Sequence, residues 1–449
     1  MKKFRHYALL LFAVMAVCSC SKDDNDRVKV EKVELAPTTL DLIVGEEMTL
    51  AVTVIPSEAN QNVTWSSSNP QIATIGSDGT VTGVAQGETT ITVTTEDGGL
   101  TATCKVTVTE ESKGYAWYLA GKESGNYEIS TLEELKQFGL LVNGDETALT
   151  FNGESAAVTF SGKTVTLKND INLNNEEWTP IGTDRQPFQG TFDGNGKAIS
   201  GLKVSNVNIQ YIGFFGYIKD AIMKNTEISD GTVTGSDRAA GSCAGGVVGY
   251  SSNSTIENCS SSATISGQMA GGVVGWAPRS NIIACHATGN VTAMQGKDDT
   301  VAAGGVVGLF TISGSIQACY YTSGTVTGGN QTGSSYENAT GGVVGFSHTE
   351  IKVYNCYSTG TVVPGTGNNV QTGGVIGYAR YGNDYGSLLY ITGRGANRGI
   401  GEKATDDASK VKSIASESEL SANISFLNTG LPGEVGYQFK ADGTLEKVQ

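Results

Sequence analysis

A five-residue segment that recurs along the second half of the chain constrains the fold more than any other feature. Gly-Gly-Val-Val-Gly, or once Gly-Gly-Val-Ile-Gly, begins at residues 245, 271, 304, 341 and 373, with separations of 26, 33, 37 and 32 residues. Repeats of this length are too small to bury an apolar face alone, and they become stable by stacking on their neighbours. The repeat therefore predicts a solenoid.

Each repeat has room for three short strands separated by turns. A cysteine follows each of the first four segments by 14 or 15 residues, and a Thr-Val-Thr-like strand follows the cysteine. A degenerate copy at 212–216, with Thr226 in the cysteine position, extends the array towards the N-terminus. Short Val- and Thr-rich runs predict strands, so the stacked units form a parallel β-solenoid. Residues 295–299 and 328–338 vary between repeats and are predicted to be loops on one side.

These repeats resemble the GLUG repeat. The preceding block, with Trp178-Thr179-Pro180-Ile181-Gly182 and Gly190 to Gly196, resembles the segment that commonly leads into such repeats. GLUG repeats occur in bacterial surface proteins, including some immunoglobulin A peptidases that also carry a metalloprotease domain. The chain contains no His-Glu-x-x-His sequence, so the resemblance does not imply that activity.

The segment before the repeats shows a second pattern. Residues 28–110 alternate apolar and polar positions in short runs separated by turns, which predicts an antiparallel sandwich. Val44-Gly45-Glu46, the run from Val63 to Pro70 and Gly79-Thr80-Val81-Thr82-Gly83 resemble a bacterial immunoglobulin-like group 2 domain. Trp65 and Cys104 are predicted to be core residues. The resemblance implies a spacer or adhesive module.

The N-terminus predicts export and lipidation. Lys2, Lys3 and Arg5 precede an apolar run at 7–17 that is too short to span a bilayer. Its end, Val17-Cys18-Ser19-Cys20, resembles a bacterial lipobox, which implies that Cys20 carries acyl chains such as palmitate; an ordinary signal peptide is the alternative. The acidic stretch after Cys20 resembles the export signal of Bacteroidetes lipoproteins, implying an outer-membrane anchor facing the cell exterior, with the inner leaflet as the alternative.

Together these features predict an all-β chain in which an N-terminal Ig-like β-sandwich precedes a GLUG-repeat parallel β-solenoid with a helical N-terminal cap. A capping box at Ser130 to Glu133 predicts the start of that helix. Leu420, Ile424 and Leu427 predict one short helix capping the open end. The predicted segments are a signal peptide (1–20), an acidic tether (21–29), the Ig-like domain (30–110), a linker (111–126), the capping segment (127–204), the solenoid (205–392) and a C-terminal segment (393–449).

Catalysis, cofactors and metals find little support in the sequence. Of three histidines, His6 leaves with the signal, while His286 and His348 fall at different repeat positions. Between Gly245 and Arg380 the only aspartates are adjacent, whereas glycoside hydrolysis needs two facing carboxyl groups. Asp193-Gly194-Asn195-Gly196 lacks the ligands of a full calcium loop and predicts a turn. A net charge of −15 argues against nucleic acid as a partner.

The strongest candidate site is a column of large side chains. The residue after each glycine-rich segment is Tyr217, Tyr250, Trp276, Leu309, Phe346 or Tyr378. The five aromatic residues are either an exposed strip for sugar rings or a partner protein, or a stack inside the core. Leu309 interrupts the column and favours the core stack. Tyr320, Tyr321 and Tyr357 flank the cysteines with the same two alternatives, and the cysteines are predicted to be a buried thiol ladder rather than disulfides.

The sequence therefore predicts a non-enzymatic surface lipoprotein that acts as an adhesin or displays a ligand-binding surface. The alternative is a glycan-binding lipoprotein of a polysaccharide-uptake system. The predicted partners are membrane lipid through the acylated cysteine and a host or dietary glycan or an extracellular protein.

Lipidation of Cys20 can be tested in cells. Cys20→Ala should abolish incorporation of labelled palmitate and move the protein from the detergent phase to the aqueous phase, because several acyl chains anchor a protein far better than none. Cys18→Ala is the matched control and should leave both readouts unchanged. Labelling that depends on Cys18 instead would contradict the assignment.

Overall fold

The chain divides into two compact units, which meet in sequence at residues 113 and 114. The computed structural model describes residues 28–109, 115–205, 208–236, 241–296, 300–380, 382–401, 407–431 and 436–448. The predicted signal peptide, Cys20 and most of the acidic tether lie outside these ranges. About 47% of the chain is strand and 10% is helix, and the predicted fold class is confirmed.

The first unit is an Ig-like sandwich built from short strands. Numbered along the chain, its strands form three sheets in the orders 1-4, 2-9-8-5 and 3-7-6, in which neighbours are hydrogen-bonded. The strands are Lys32–Ala36, Thr39–Ile43, Glu47–Thr49, Ala51–Ile55, Val63–Ser67, Ala73–Ile75, Thr80–Gly83, Gly87–Thr95 and Thr101–Thr109.

Period-two alternation builds the core of this unit. In Gly87–Thr95 the side chains of Thr89, Ile91, Val93 and Thr95 point inward, as expected when successive residues face opposite sides of a sheet. Cys104 is fully buried as predicted, whereas Trp65 is half-buried and packs against the core from its edge.

The second unit begins with helices where part of the linker was predicted. Residues Ala116–Ser124 are α-helical, and Tyr115, Trp117 and Tyr118 are buried. Trp117 Nε1 donates a hydrogen bond to Gln137 Oε1 at 2.9 Å. The linker assignment is wrong for these residues, because their aromatic side chains pack into the main apolar core of the second unit.

The capping helix is present, displaced by one residue. It spans Leu132–Asn143, and its capping box joins Thr131 to Glu134 rather than Ser130 to Glu133. A third helix follows at Glu146–Phe151. Phe138 points into the end of the solenoid, where its ring centroid lies 5.0 Å from that of Phe160 and 5.6 Å from that of Phe188. This aromatic cluster closes the N-terminal end of the core.

One coil of the solenoid contains five strands rather than the predicted three. In the coil that begins at Thr255 they are Thr255–Glu257, Ser260–Ser261, Thr264–Gly267, Met269–Gly271 and Val274–Pro278. Two extra breaks account for the difference: a bend inside the glycine-rich segment, and a corner residue in the left-handed region, Asn258 in this coil (φ 51°). Asparagine tolerates this conformation better than most residues.

Equivalent strands pair in parallel from coil to coil and form five rows. The first row is Asn126–Ile129, Thr164–Leu167, Thr191–Asp193, Ile222–Lys224, Thr255–Glu257, Asn281–Ile283, Gly314–Gln317 and Ile351–Ser358. The second is Ile171–Asn172, Ala198–Ser200, Glu227–Ile228, Ser260–Ser261, His286–Ala287, Tyr320–Tyr321, the same Ile351–Ser358, Asp384–Ile391 and Val411–Ile414. The third, the threonine row, is Leu202–Val204, Gly231–Thr234, Thr264–Gly267, Val291–Ala293, Thr325–Thr327 and Thr361–Val363.

The last two rows flank the bend of the glycine-rich segment. The small-residue row is Tyr211–Ile212, Cys243–Gly245, Met269–Gly271, Val301–Gly304, Asn338–Gly341 and Val370–Gly373. The aromatic row is Phe215–Lys219, Val248–Ser252, Val274–Pro278, Val307–Thr311, Val344–Ser347 and Ile376–Ala379. Because the first row starts at Asn126, parallel stacking begins well before the predicted boundary at residue 205.

The insert residues extend this stacking. Asn330–Gln331 pairs in parallel with Thr366–Gly367, and Gly296 bridges to Gln331. The described part of the predicted loops is therefore partly ordered as short parallel strands, while residues 297–299 lie outside the described ranges.

The cysteine ladder is confirmed as buried free thiols. Each Sγ donates to the carbonyl oxygen two residues earlier, at 3.1–3.3 Å, and Thr226 makes the same contact with its hydroxyl. The shared contact explains why a threonine can replace the cysteine at this position. Burial raises the pKa of the Cys259, Cys285 and Cys319 thiols, which keeps them protonated. The ladder residues are Cys259, Cys285, Cys319 and Cys356.

The C-terminal segment covers the side of the solenoid, whereas a cap on its open end was predicted. The single predicted helix is instead two short 3₁₀ turns, Glu417–Glu419 and Ser421–Asn423, followed by the helical turn Ile424–Leu427. The antiparallel strands Tyr437–Phe439 and Leu445–Lys447 follow. Tyr437 donates to Glu257 at 2.9 Å, and Leu427 and Phe439 pack against Tyr320 and Tyr357 on the outer face of the second row. The C-terminal segment lies along the side of the solenoid because its apolar residues cover the tyrosine side chains there.

Replacing a repeat glycine where two coils touch should lower the stability of the solenoid. A Cβ at Gly308 would lie 2.7 Å from the Gly275 carbonyl oxygen, so Gly308→Ala should lower the free energy of unfolding by about 2–3 kcal/mol. Gly139→Ala is the matched control, because its Cβ would meet only Ile181 at 3.5 Å, within a helix that alanine favours. Denaturant unfolding followed by circular dichroism measures both. Equal effects of the two substitutions would contradict the coil contact.

Candidate functional site

The glycine-rich segment brings two strands together without side chains between them. A Cβ on Gly249, the third glycine, would lie 2.5 Å from the backbone nitrogen of Ile212 in the preceding coil. A Cβ added at any of the equivalent glycines would lie 2.6–2.8 Å from backbone atoms of the small-residue row; these glycines are Gly275, Gly308, Gly345 and Gly377. The aromatic row and the small-residue row therefore pack backbone to backbone.

The next residue of each segment emerges from this junction in a continuous column. Parallel pairing aligns Tyr217 with Tyr250, Tyr250 with Trp276, Trp276 with Leu309, Leu309 with Phe346, and Phe346 with Tyr378. The rings of Tyr217 and Tyr250 stack with centroids 4.6 Å apart, and those of Phe346 and Tyr378 stack at 5.1 Å. The repeat spacing thus predicted the column correctly.

The column lies outside the main core, contrary to the internal stack that Leu309 favoured. It forms a separate apolar cluster with residues at the start of the small-residue strands, Cys243, Met269, Ala302 and Ala339. Leu309 and Phe346 are buried in that cluster, while Tyr217, Tyr250, Trp276 and Tyr378 are half-buried. The two rows therefore line an external groove parallel to the solenoid axis, and Leu309 is part of its lining.

The lining of the groove is uncharged. A cavity of about 260 Å³ contacts the apolar side chains of Met269, Leu309 and Phe346. Its polar lining consists of hydroxyl, amide and ring nitrogen groups from Gln210, Trp276, Thr300, Thr311, Tyr336 and His348. Among the described lining residues none is aspartate, glutamate, lysine or arginine. Trp276 Nε1 donates to Thr311 Oγ1 at 2.8 Å, which fixes the indole ring.

Three interacting polar side chains, those of Glu337, Arg380 and His348, lie at the C-terminal end of the groove. The Arg380 guanidinium lies 5.6 Å from the Phe346 ring and 3.4 Å from the Glu337 carboxylate. Arg380 also approaches His348 Nε2 at 3.0 Å, and because a guanidinium only donates, that nitrogen accepts. Burial, and secondly Arg380, lower the pKa of His348. His348 is therefore neutral, with its proton on Nδ1, facing Thr349 Oγ1 at 3.1 Å.

Tyr211 marks the other end. Its ring lies 4.9 Å from that of Tyr250 and 5.3 Å from that of Tyr217. Burial, with smaller contributions from neighbouring groups, raises the pKa of Tyr211 to about 12, so its hydroxyl stays protonated. Tyr211 was not predicted as a site residue, although it pairs with Cys243. The repeat spacing does mark the positions that follow in this row, because each lies two residues before a repeat segment: Cys243, Met269, Ala302 and Ala339.

The groove is suited to binding rather than to acid–base chemistry. Two carboxylates lie near its ends, Asp184 and Glu337, but they are separated by five coils, about 24 Å at the spacing of adjacent strands. Glycoside hydrolysis needs a pair within about 10 Å. Across the described ranges no group of three or more His, Cys, Asp or Glu side chains could hold a metal ion.

The segment from Asp193 to Gly196 forms the turn that the sequence predicted. Asp193 accepts from the backbone of Asn195 and from the Asn225 side chain and pairs with Lys224 at 3.1 Å, so this segment forms a turn. No helix in the described residues is long and apolar enough to cross a membrane.

A second aromatic stack lies on the outer face of the second row. The rings of His286 and Tyr320 are parallel at 4.6 Å, and those of Tyr320 and Tyr357 at 5.1 Å. Phe439 of the C-terminal segment packs edge-on against both tyrosines. Tyr321 instead points into the main core. The chain itself therefore covers this stack.

Comparison with known families matches two parts of the chain. Residues 29–106 match the bacterial Ig-like domain (group 2), and residues 240–266 and 336–363 match the GLUG motif. The chain therefore contains an Ig-like domain and GLUG motifs, arranged in the order that the sequence predicted.

Similar proteins share a short stretch. An alpha-L-arabinofuranosidase of Bifidobacterium longum is 51% identical over 70 residues, 15% of this chain and 7% of its own length. An Ig-like virion protein of Serratia phage KSP90 is 46% identical over 83 residues, 18% and 32% respectively, and a lacto-N-biosidase of Bifidobacterium bifidum is 40% identical over 79 residues, 18% and 7%. The chain thus spans less than a third of these relatives, and the similarity to glycosidases runs through the Ig-like domain alone.

His286 should make stability depend on pH. Burial lowers its pKa to about 4 in the folded chain, whereas the unfolded value is 6.5. Between these values the unfolded chain binds more protons, so the free energy of unfolding should fall by about 1–3 kcal/mol as pH drops from 6.5 to 4. His286→Tyr, which preserves the stack, should remove this part of the dependence in urea unfolding at several pH values. Identical profiles for both proteins would rule out the effect.

Proposed function

We propose that this chain is a non-enzymatic surface lipoprotein that binds a neutral glycan chain along the aromatic groove. The observation that carries the proposal is the contrast between two outer aromatic rows. The C-terminal segment covers Tyr320 and Tyr357 of one row. In the other row Leu309 and Phe346 are buried in a separate apolar cluster, whereas four aromatic side chains stay half-exposed: Tyr217, Tyr250, Trp276 and Tyr378. Exposed apolar patches on soluble proteins commonly mark binding sites.

The chemistry of the lining favours a glycan over a charged polymer. Hydroxyl and amide groups both donate and accept hydrogen bonds, as sugar hydroxyls do, and the aromatic and aliphatic side chains cover the apolar faces of a sugar. The described residues that line the cavity include no lysine or arginine, and the Arg380 guanidinium at the C-terminal end of the groove is already paired with Glu337. An extended polypeptide is less well matched, because the groove crosses the strands and both rows are already paired with their neighbours.

The other parts of the chain fit display at a surface. An acylated Cys20 would hold the protein on the outer membrane, and the Ig-like domain would act as a spacer between the tether and the solenoid. Such a protein would serve as an adhesin towards host glycans. A role in polysaccharide uptake is the second candidate, and one observation favours it: two of the similar proteins are named as glycosidases, of Bifidobacterium species.

An array of host glycans, plant polysaccharides and extracellular-matrix proteins, probed with the full-length chain in mild detergent, tests the proposal. We expect saturable binding to neutral glycans that is weakened at least about tenfold by Trp276→Leu, because leucine removes the indole wall. Host-type or plant-type ligands would separate adhesion from uptake.

Thr264→Ala is the matched control, since Thr264 is exposed on the threonine row, away from the groove. It should leave binding unchanged. No binding to any glycan, binding to matrix proteins only, or equal loss in both variants would overturn the proposal.

A further inference from the structure

A second cavity lies where the aromatic groove ends at Tyr211. It measures about 310 Å³ and is lined by residues from three segments: Asn143 of the capping helix, the loop at 179–184, and residues 208–211. Gln210 lines both this cavity and the groove, so the two spaces are neighbours. Nothing in the sequence pattern pointed to this pocket, because its segments come from outside the glycine-rich repeats.

The end of the rows creates the pocket. Among the described residues, Tyr211–Ile212 is the first strand of the small-residue row. In the coil before Tyr217, Ile181 pairs in parallel with Phe215, so Gly182 aligns with Gly216 and Thr183 takes the column position. The aromatic column therefore ends at Tyr217. The threonine is smaller than the aromatic side chains of the column and leaves space beside Tyr211.

The walls of the pocket are held by hydrogen bonds. The Asn143 side chain donates to the Pro180 carbonyl at 3.0 Å and accepts from the Gly182 backbone at 2.7 Å. Thr183 Oγ1 accepts from the backbone of Gln186 at 3.1 Å, which fixes the loop. The capping helix thus fixes the loop that presents Asp184. A pre-formed pocket of this kind costs a ligand little reorganisation.

The chemistry of the pocket selects a neutral polyhydroxyl compound. The exposed Asp184 carboxylate accepts hydrogen bonds, Asn208 and Gln210 carry amides, and Tyr211 adds an aromatic wall. Its described lining contains no lysine or arginine, which disfavours an anion. A single carboxylate falls short of the several oxygen ligands that a divalent cation needs. A sugar ring combines several hydroxyl donors with an apolar face and fits both kinds of wall.

We infer that this pocket binds the terminal sugar unit of the glycan chain whose following units lie in the aromatic groove. The inference rests on the proposed function and adds direction to it. At about 310 Å³ the pocket is at the lower end of the size range of small-molecule sites, which suits one unit rather than a chain. Rings inside the column stack on each other, whereas Tyr211 borders open space. The pocket therefore binds the end of the glycan chain, and the groove binds the sugar units that follow.

Saturation-transfer NMR on the full-length protein, with glucose, galactose, mannose, fucose, arabinose and N-acetylglucosamine as separate probes, tests the inference. At least one monosaccharide should receive saturation, and Asp184→Asn should weaken its binding at least about tenfold, because a charge-assisted hydrogen bond is lost. Thr264→Ala, on the threonine row, should leave monosaccharide binding unchanged. Asp184 is exposed, so the substitution should not disturb folding, which circular dichroism checks.

The outcomes separate the two proposals. Binding of no monosaccharide, or binding that Asp184→Asn leaves intact, overturns the terminal-unit pocket. If an oligosaccharide from the array still depends on Trp276 in that case, the groove proposal stands alone. Monosaccharide binding that depends on Asp184, with no oligosaccharide effect of Trp276→Leu, supports the pocket and overturns the groove.

Discussion

The solenoid depends on a contact in which a glycine of one coil touches the backbone of the coil before it. Gly249, Gly275, Gly308, Gly345 and Gly377 repeat this contact, and at each of them a Cβ would approach backbone atoms within about 2.5–2.8 Å. Only glycine allows two strand rows to pack without a side-chain layer between them. The contact fixes the bend in each repeat, places Val247 and Val248 and their equivalents in the core, and directs the following residue outward.

The groove is a direct consequence of that bend. Because the two rows meet at their backbones, the residue after each segment lies beside the residue two positions before it, and both face away from the core. Stacking of Tyr217 on Tyr250 and of Phe346 on Tyr378 then covers ring faces within the column. The described lining of the groove is therefore uncharged, whereas the chain as a whole is acidic.

The remaining apolar surfaces of the solenoid are sealed by non-repetitive parts of the chain. Phe138 and the aromatic residues around it close the N-terminal end of the core. The C-terminal segment covers the outer face of the second row, where Asn355 Nδ2 donates to the carbonyls of Leu427 and Thr429 at 2.7 and 2.9 Å. Elsewhere in the coils an asparagine at the same corner, such as Asn258, bonds to its neighbour Asn225 instead. One corner position therefore serves two purposes, depending on what lies beside it.

The sequence by itself determined the repeat, the alignment of the aromatic column, the buried thiols and the Ig-like domain, because each follows from a fixed spacing or a local alternation. The tertiary structure decided which side of the solenoid the column faces, since a residue after a bend points inward or outward according to how closely two backbones approach. It also decided that Tyr115, Trp117 and Tyr118 are core residues and that the C-terminal segment lies along the side. The pocket beside Tyr211 is likewise a tertiary feature, because Asn143, Asp184 and Tyr211 are distant in sequence and meet only where the stacked rows end.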